Sequence, residues 1–375
     1  GSEMCIRDSA YKRMLLAGFC AGSTILAFGS QAQAAKAASP KVDKTSAAIA
    51  AYADELVIPT YKTMSDNALK FAKTAKELKA APTDAKVAEA GKLLLETRVP
   101  WELSESFLFG PAAFANLDPK LDSWPLDTTN LDAVAKNADS KSVTIDAAYV
   151  RNSLGAETRG FHAAEYLLFR DGQPRKAADL TPGQLSYLAA VAEVIAEDAI
   201  TLEAWWAGSD KISEEKAKIL EEAEIEPGKS YAGEFKKAGQ AGSRYESNSE
   251  VLDEIIGGSK DIIDEIADSK VGKPYETADA ADCESLYSYT SLVDSRHNVQ
   301  SVEKSYNVIS PLVAAKSAKV DQAVKGSIAK VFKSLDAIQG PLVKNLDKKE
   351  QLKAIIDSCK ELSENFDKVQ ELLVK

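Results

Sequence analysis

The sequence predicts an all-α fold made of two helical-bundle halves of similar topology. Apolar residues recur three or four positions apart along most of the chain, which is the pattern of amphipathic helices. No stretch alternates apolar and polar residues for long enough to indicate a strand. Long helical segments follow one another in a similar order in both halves, and 375 residues with 45% hydrophobic side chains suffice to fill two cores.

The first element is a predicted secretory signal peptide at residues 1–34. Lys12 and Arg13 precede an apolar run, and the small residues Ala32 and Ala34 stand at the spacing of a cleavage site. The run is shorter than the roughly 20 apolar residues that a membrane-spanning helix needs. We therefore expect export to the periplasm or cell envelope, a linker at residues 35–45, and no transmembrane span in the mature chain.

After the linker, helical periodicity predicts an N-terminal bundle at residues 46–210 and a C-terminal bundle at residues 211–375. The boundary falls where a run of Glu and Lys and then Pro227 and Gly228 interrupt the periodicity. Short connections at residues 310–311 and 340–341 predict that the last long helices pack antiparallel. The predicted helices cover residues 46–80, 84–109, 181–208, 229–268, 284–309, 314–338 and 346–374.

Residues 110–160 interrupt this helical pattern. They are rich in Pro, Asp, Asn and Ser, which predicts irregular structure or short helices. A segment of this length in a compact domain is usually functional.

Composition and motifs exclude several classes of function. A formal net charge of −11 disfavours nucleic acid as a partner. The predicted mature chain retains Cys283 and Cys359, too few for a disulfide framework, and buried thiols are the favoured interpretation over a single bridge. The chain also lacks the Gly-x-Ser-x-Gly motif of many hydrolases and the glycine-rich loops that bind phosphates.

His162 and Glu165 are the strongest candidates for chemistry. The chain has two histidines, and a helix over residues 161–169 would place His162 and Glu165 on one face. Such a pair can hold a metal ion through one nitrogen and one oxygen, or can form a simple hydrogen bond. Gly160 would allow close backbone approach at the start of this helix.

A zinc peptidase is the obvious enzyme hypothesis. Inverted zinc peptidases carry His-x-x-Glu-His, but here the fifth position is Tyr166. A catalytic zinc ion requires three protein ligands and an open position, and this motif supplies two at most. The zinc-peptidase motif is therefore incomplete, and the sequence favours a protein that is not an enzyme.

Residues 160–169 resemble the Gly-x-His-x-x-Glu signature of the imelysin-like proteins. The resemblance extends to residues 57–61, 101–111, 123–125 and 284–298, and to Tyr306. It implies two helical-bundle halves, a location in the bacterial periplasm or outer envelope, and a link with iron or haem acquisition. The imelysin-like family is also labelled as a family of peptidases.

Through the matching motif, the resemblance directly implies that Gly160, His162 and Glu165 are site residues. Glu102 and Glu105 are candidates for further oxygen ligands. We expect Gly160, Ser288, Asp294 and Asn298 to line a cleft between the halves, and His297 to be a surface or structural residue.

Three functions remain open at this stage. The first is binding of a divalent metal, iron or zinc, or of a small metal-bearing ligand, in partnership with other iron-uptake envelope proteins. The second is a metal-dependent peptidase. The third is a binding module for haem or a polysaccharide, in which the histidine is an axial ligand or a hydrogen-bond donor.

Overall fold

The computed structural model describes residues 43–375. The predicted signal peptide and most of the predicted linker therefore lie outside the described residues. Within this range the chain is almost entirely helical, which confirms the predicted fold class. The α-helices are α1 Lys44–Ala51, α2 Ile58–Ala80, α3 Asp84–Glu102, α4 Pro111–Phe114, α5 Asp118–Asp122, α6 Thr128–Asp139, α7 Ala147–Ser153, α8 Gly160–Leu168, α9 Pro182–Ala207, α10 Glu214–Glu222, α11 Tyr231–Phe235, α12 Asn248–Glu265, α13 Gly272–Thr277, α14 Ser291–Lys316, α15 Ala318–Asp336 and α16 Lys349–Leu373.

Short segments of other types link these helices. Two π-helical turns extend longer helices, at Tyr52–Val57 between α1 and α2 and at Ile266–Lys270 after α12. Strands β1 Phe169–Arg170 and β2 Gln173–Pro174 form an antiparallel hairpin. The 3₁₀ turns are Glu105–Phe107, Ala156–Thr158, Ala177–Asp179, Ala280–Asp282 and Leu342–Lys344.

Long helices pack in two groups. In the first half α2 packs against both α3 and α9, and α6, α7 and α8 add to α9. In the second half α15 and α16 pack together with α14 and α12. One hydrophobic core continues from Ile49 to Val369, and the described residues form a single compact unit. The division of the chain at residue 210 stays a prediction.

Helix α9 shows how local sequence defines an element. The Thr181 side chain accepts a hydrogen bond from the Gln184 backbone amide at 3.1 Å, and the Gln184 side chain accepts one from the Thr181 amide at 3.2 Å. Pro182 takes the first helical position, where its missing N–H costs nothing. The predicted helix over residues 181–208 is confirmed.

The predicted break at residues 310–311 is wrong, because α14 runs through Pro311 to Lys316. Proline removes one hydrogen bond within a helix and leaves the carbonyl of Asn307 without its usual partner. Pro311 and Asn307 are both exposed, so water can meet that carbonyl. The connection to α15 falls at Ser317 instead.

Two other predicted helices are too long. The helix predicted over residues 84–109 ends at Glu102, where the Ser104 amide and hydroxyl both donate to the Trp101 carbonyl and close the helix. The helix predicted over residues 229–268 is divided into α11 and α12. Gly239 and Gly242, with φ of +77° and +89°, lie in the connection between them.

The start of the helix predicted over residues 284–309 is also wrong. Residues 284–289 form a turn, and α14 begins at Ser291. Tyr289 in this turn has φ of +67°, a left-handed conformation that cannot continue a helix of L-residues.

Two further features of the fold concern the character of its helices and the state of its cysteines. No helix within residues 43–375 combines the length and the apolar character required to cross a bilayer. Cys283 and Cys359 are separate buried thiols, and burial raises the pKa of each to about 12. The interpretation of these cysteines as buried thiols, not joined by a bridge, is therefore confirmed.

Candidate metal centre

Helix α8 starts with a backbone contact that requires glycine. Gly160 has φ of +75°, and a Cβ atom at this position would lie 2.2 Å from the Leu121 carbonyl oxygen. No other residue fits both the conformation and the space. The contact brings the end of α5, and with it Asp122, against the first turn of α8.

His162 stands in that first turn and is 2% exposed. Its Nδ1 lies 2.9 Å from Glu165 Oε2, which confirms that the two side chains share one face of a helix. Its Nε2 lies 3.2 Å from Asp122 Oδ1 but without the alignment of a hydrogen bond. One ring nitrogen is therefore paired, and the other is not.

Three side chains converge at the unpaired nitrogen. Asp122, His162 and Glu284 each offer one ligand atom, and these atoms lie within 4.8 Å of one another. Each of the three also has a buried polar atom without a hydrogen-bond partner, namely Asp122 Oδ1, His162 Nε2 and Glu284 Oε2. Buried polar atoms nearly always have a hydrogen-bond partner, so one such atom on each of three adjoining side chains marks a candidate ligand site, although Asp122 Oδ1 also forms an ion pair with Arg98. Donor groups of this kind are those that bind metal ions.

Arg98 on α3 lies beside this trio. Its Nη2 is 3.2 Å from Asp122 Oδ1 and 3.3 Å from Glu284 Oε1. Its Nε is 2.7 Å from Glu102 Oε1 and 3.6 Å from Asp294 Oδ2. The guanidinium thus contacts four buried carboxyl groups.

Lys270 is the second permanent cation in the cluster. Its Nζ donates to Glu284 Oε1 at 2.8 Å and lies 4.0 Å from Glu102 Oε2. Glu165 also interacts with Arg98 and Glu105 with Lys270, so six buried carboxyl groups surround these two cations. Because unpaired charges are costly to bury, the excess negative charge favours an additional cation or bound protons.

The charges of His162, Asp122 and Glu165 stabilise one another. Burial and Arg98 both oppose a charged imidazole, but the carboxylates of Asp122 and Glu165 outweigh them and raise the pKa of His162 to about 9. Burial disfavours ionisation of Asp122, yet Arg98 and His162 hold its pKa well below the usual value. Burial also opposes ionisation of Glu165, but its bond to His162 lowers its pKa. A charged imidazole at His162 thus offsets part of the negative charge of the cluster.

Other carboxyl groups of the cluster retain their protons more readily. Burial raises the pKa of Asp294 to about 7, although Arg98 opposes this shift. Burial likewise raises the pKa of Glu284 against the effect of Lys270. The charge of the cluster can therefore change near neutral pH.

The predicted oxygen donors have different surroundings. Both carboxylate oxygens of Glu102 already accept hydrogen bonds. Oε1 accepts from Arg98, and Oε2 accepts from Asn298 Nδ2 at 2.6 Å. Glu105 is buried in the 3₁₀ turn after α3, outside the trio, and burial strongly raises its pKa. Both oxygens of Glu165 are also occupied by hydrogen bonds.

The residues expected to line a cleft all adjoin the cluster and are buried. Ser288 donates through its amide and its hydroxyl to Glu165 Oε1, at 2.7 and 2.8 Å. Asp294 accepts from the Ser285 hydroxyl at 2.6 Å, and Asn298 binds Glu102. His297 lies on the same helix, half-buried, and burial lowers its pKa. The site is enclosed by protein and does not form the open cleft that the sequence predicts for these residues.

Sequence reasoning missed Asp122, Glu284 and Arg98 as members of the site. Asp122 directly precedes the Ser123-Trp124-Pro125 turn, and Glu284 opens the run over residues 284–298. Residues 123–125 and 284–298 both belong to the resemblance to the imelysin-like proteins. A charged residue at the edge of each was therefore the signal that could have identified Asp122 and Glu284. Trp101 belongs here too, since its indole Nε1 donates to Asp122 Oδ2 at 2.7 Å and holds that carboxylate.

Comparison with known proteins decides the family. The family model described as Imelysin matches residues 57–369 and therefore includes every residue of the site. This chain belongs to the imelysin family. A relative named iron-regulated protein A, from Synechococcus elongatus, is 28% identical over 254 residues. The match covers 68% of this chain and 62% of that relative, less than two thirds of its length.

Two solved structures share the fold of this chain. A protein of Parabacteroides distasonis, provisionally assigned as an iron-regulated protein A precursor, superposes with a TM-score of 0.76 at 26% identity. The alignment covers 90% of this chain and 97% of that structure. An imelysin-like protein from Psychrobacter arcticum gives a TM-score of 0.65 at 11% identity, covering 88% and 97% of the two chains. This second likeness concerns the fold alone.

Proposed function

We propose that this protein captures a metal ion, iron or zinc, in the bacterial periplasm or envelope, through Asp122, His162 and Glu284. The observation that carries the proposal is the convergence of three buried ligand atoms within 4.8 Å, on residues that each also have a buried polar atom without a hydrogen bond. The residues come from the end of α5, from α8 and from the turn before α14. Donors distant in sequence that meet in this way are typical of a ligand site rather than of a local hydrogen bond.

The donor set suits the proposed metals. One imidazole nitrogen and two carboxylate oxygens are ligands that both iron and zinc accept, and three protein ligands leave a position for water or for a group on a carrier molecule. The relative named iron-regulated protein A supports a role in iron handling. Other iron-uptake proteins of the envelope would then be the partners.

The burial of the three proposed metal ligands supports metal capture rather than peptide hydrolysis. Asp122, His162 and Glu284 are 9%, 2% and 4% exposed, so a peptide bond could not reach a metal held between them without a large opening. A bare ion needs much less space. We therefore propose binding and release, not turnover, as the activity.

Metal titration tests the proposal directly. We expect wild-type protein to bind one Zn²⁺ or anaerobic Fe²⁺ per chain with a stoichiometric signal in calorimetry and metal analysis. Asp122→Asn should bind at least tenfold more weakly, because it removes one charged ligand. Asp321→Asn is the matched control, since Asp321 is also buried but accepts from Tyr306 and Ser310 in α14, away from the trio. Absence of stoichiometric metal in the wild type would refute the proposal.

A further inference from the structure

Glu165 belongs to the signature motif, yet both oxygens of its carboxylate are engaged in hydrogen bonds within the protein. Oε1 accepts three hydrogen bonds, from the Tyr287 amide at 2.9 Å and from the Ser288 amide and hydroxyl at 2.7 and 2.8 Å. Oε2 pairs with His162 Nδ1 at 2.9 Å. The side chains whose ligand atoms converge are Asp122, His162 and Glu284, and Glu165 is not among them.

We infer that Glu165 is a positioning residue, not a metal ligand, which keeps the His162 proton on Nδ1 and holds Glu284 over the site. This inference rests on the proposed function. One carboxylate would then arrange two of the three donors at once, the imidazole through Oε2 and the segment that carries Glu284 through Oε1.

The first of these roles concerns the tautomer of His162. A neutral imidazole carries one proton, and the nitrogen without the proton is the one that can bind a metal. The hydrogen bond between Nδ1 and the ionised Glu165 places the proton on Nδ1. The lone pair is then on Nε2, which is the nitrogen that faces Asp122. Carboxylates commonly orient metal-binding histidines in this way.

The second role concerns residues 283–290, which we call the covering segment. This non-helical segment carries Glu284 and joins the Ala280–Asp282 turn to α14. Its Tyr289 has φ of +67°, a strained conformation for a residue other than glycine, so contacts must hold the segment in place. Glu165 supplies three of these contacts, and the Tyr287 carbonyl accepts a fourth from the Gly172 amide at 2.9 Å.

Glu165→Gln separates the two roles. Because three donors meet Oε1, the amide oxygen of the variant must take that position. Its NH₂ group then faces His162 Nδ1, which must accept, and the ring proton moves to Nε2. The covering segment keeps its hydrogen bonds, but the nitrogen that binds metal is blocked. Glu165→Ala, in contrast, removes both contacts.

Zn²⁺ is the probe, and affinity is measured by competition with a chelator. We expect Glu165→Gln to bind Zn²⁺ tenfold or more weakly, within the range known for loss of such supporting carboxylates. Amide hydrogen exchange at Tyr287 and Ser288 should be unchanged in Glu165→Gln and faster in Glu165→Ala. Glu197→Gln is the matched control, because Glu197 is 4% exposed against 3% for Glu165 and pairs with Arg151 elsewhere. Its Zn²⁺ affinity should equal that of the wild type.

Nitrogen-15 NMR of histidine-labelled protein shows directly which ring nitrogen of His162 carries the proton. The chain has two histidines, so His297→Gln assigns the spectrum. We expect a proton on Nδ1 in the Zn²⁺-loaded wild type and on Nε2 in Glu165→Gln. Equal Zn²⁺ affinity, or a proton retained on Nδ1 in the variant, would overturn the inference. A wild type that binds no Zn²⁺ would refute the metal site, and the proton position in metal-free Glu165→Gln would then decide the role of Glu165 alone.

Discussion

Replacing Gly160 by alanine tests whether the backbone contact at the start of α8 builds the site. The substitution adds a single methyl group at the edge of the cluster and removes no charge or hydrogen bond. Any effect on metal binding must therefore come from displacement of the neighbouring backbone. That backbone leads directly into Asp122, one of the three proposed ligands.

The size of the effect follows from two terms. Alanine in the left-handed region costs about 1–2 kcal/mol, because its Cβ approaches the following carbonyl. Its methyl carbon would also lie 2.2 Å from the Leu121 carbonyl oxygen and 2.7 Å from the carbonyl carbon, so α5 must shift by about 1 Å to restore contact distance. Forced overpacking of this kind costs about 1–3 kcal/mol. We expect Gly160→Ala to lower the free energy of unfolding by about 2–5 kcal/mol and to weaken metal binding at least tenfold.

Denaturant unfolding and Zn²⁺ titration measure the two effects. Gly257→Ala is the matched control, because Gly257 lies within α12 and its added Cβ would meet nothing within 4 Å. This control should gain up to about 1 kcal/mol from helix propensity and leave metal binding unchanged. If Gly160→Ala were as stable as the wild type and bound Zn²⁺ equally well, the requirement for glycine and the positioning of Asp122 would both be refuted.

Two further predictions address the charges. Because the pKa of His162 is raised to about 9, a metal ion must displace a proton from Nε2 at lower pH. Zn²⁺ affinity should rise about tenfold per pH unit from pH 6 to 8 and level off above pH 9, and equal affinities at pH 6 and 8 would contradict this. Away from the site, Lys216→Met removes the buried ammonium that binds Glu203 at 2.6 Å and Ser65 at 2.8 Å. Thermal and denaturant unfolding should show a loss of about 3–5 kcal/mol because Glu203 stays buried without its cation, and Lys216→Met combined with Glu203→Gln should recover part of it. A Lys216→Met protein of wild-type stability would show that this pair is not coupled.

Sequence-based prediction succeeded where the physical cause is local. The capping box at Thr181 and Gln184 and the periodicity of α9 are properties of neighbouring residues, so the helix is predicted almost to the residue. The hairpin turn at Asp171 and Gly172 also has a local cause, because both residues lie at positive φ. The turn was nevertheless not predicted from the sequence. The failure at Pro311 has another origin, since exposure of the helix to water made an interior proline tolerable.

For the site, the sequence by itself determined one pair of side chains. His162 and Glu165 meet because residues three apart share a face of any helix, whatever surrounds it. The tertiary structure alone decided which nitrogen of His162 is left unpaired, and that Asp122 and Glu284 stand beside it. These residues are 40 and 122 positions from His162 in the chain, and only the packing of α5, α8 and the covering segment brings them together. No periodicity encodes such a meeting, because it depends on how the faces of several helices fit against one another.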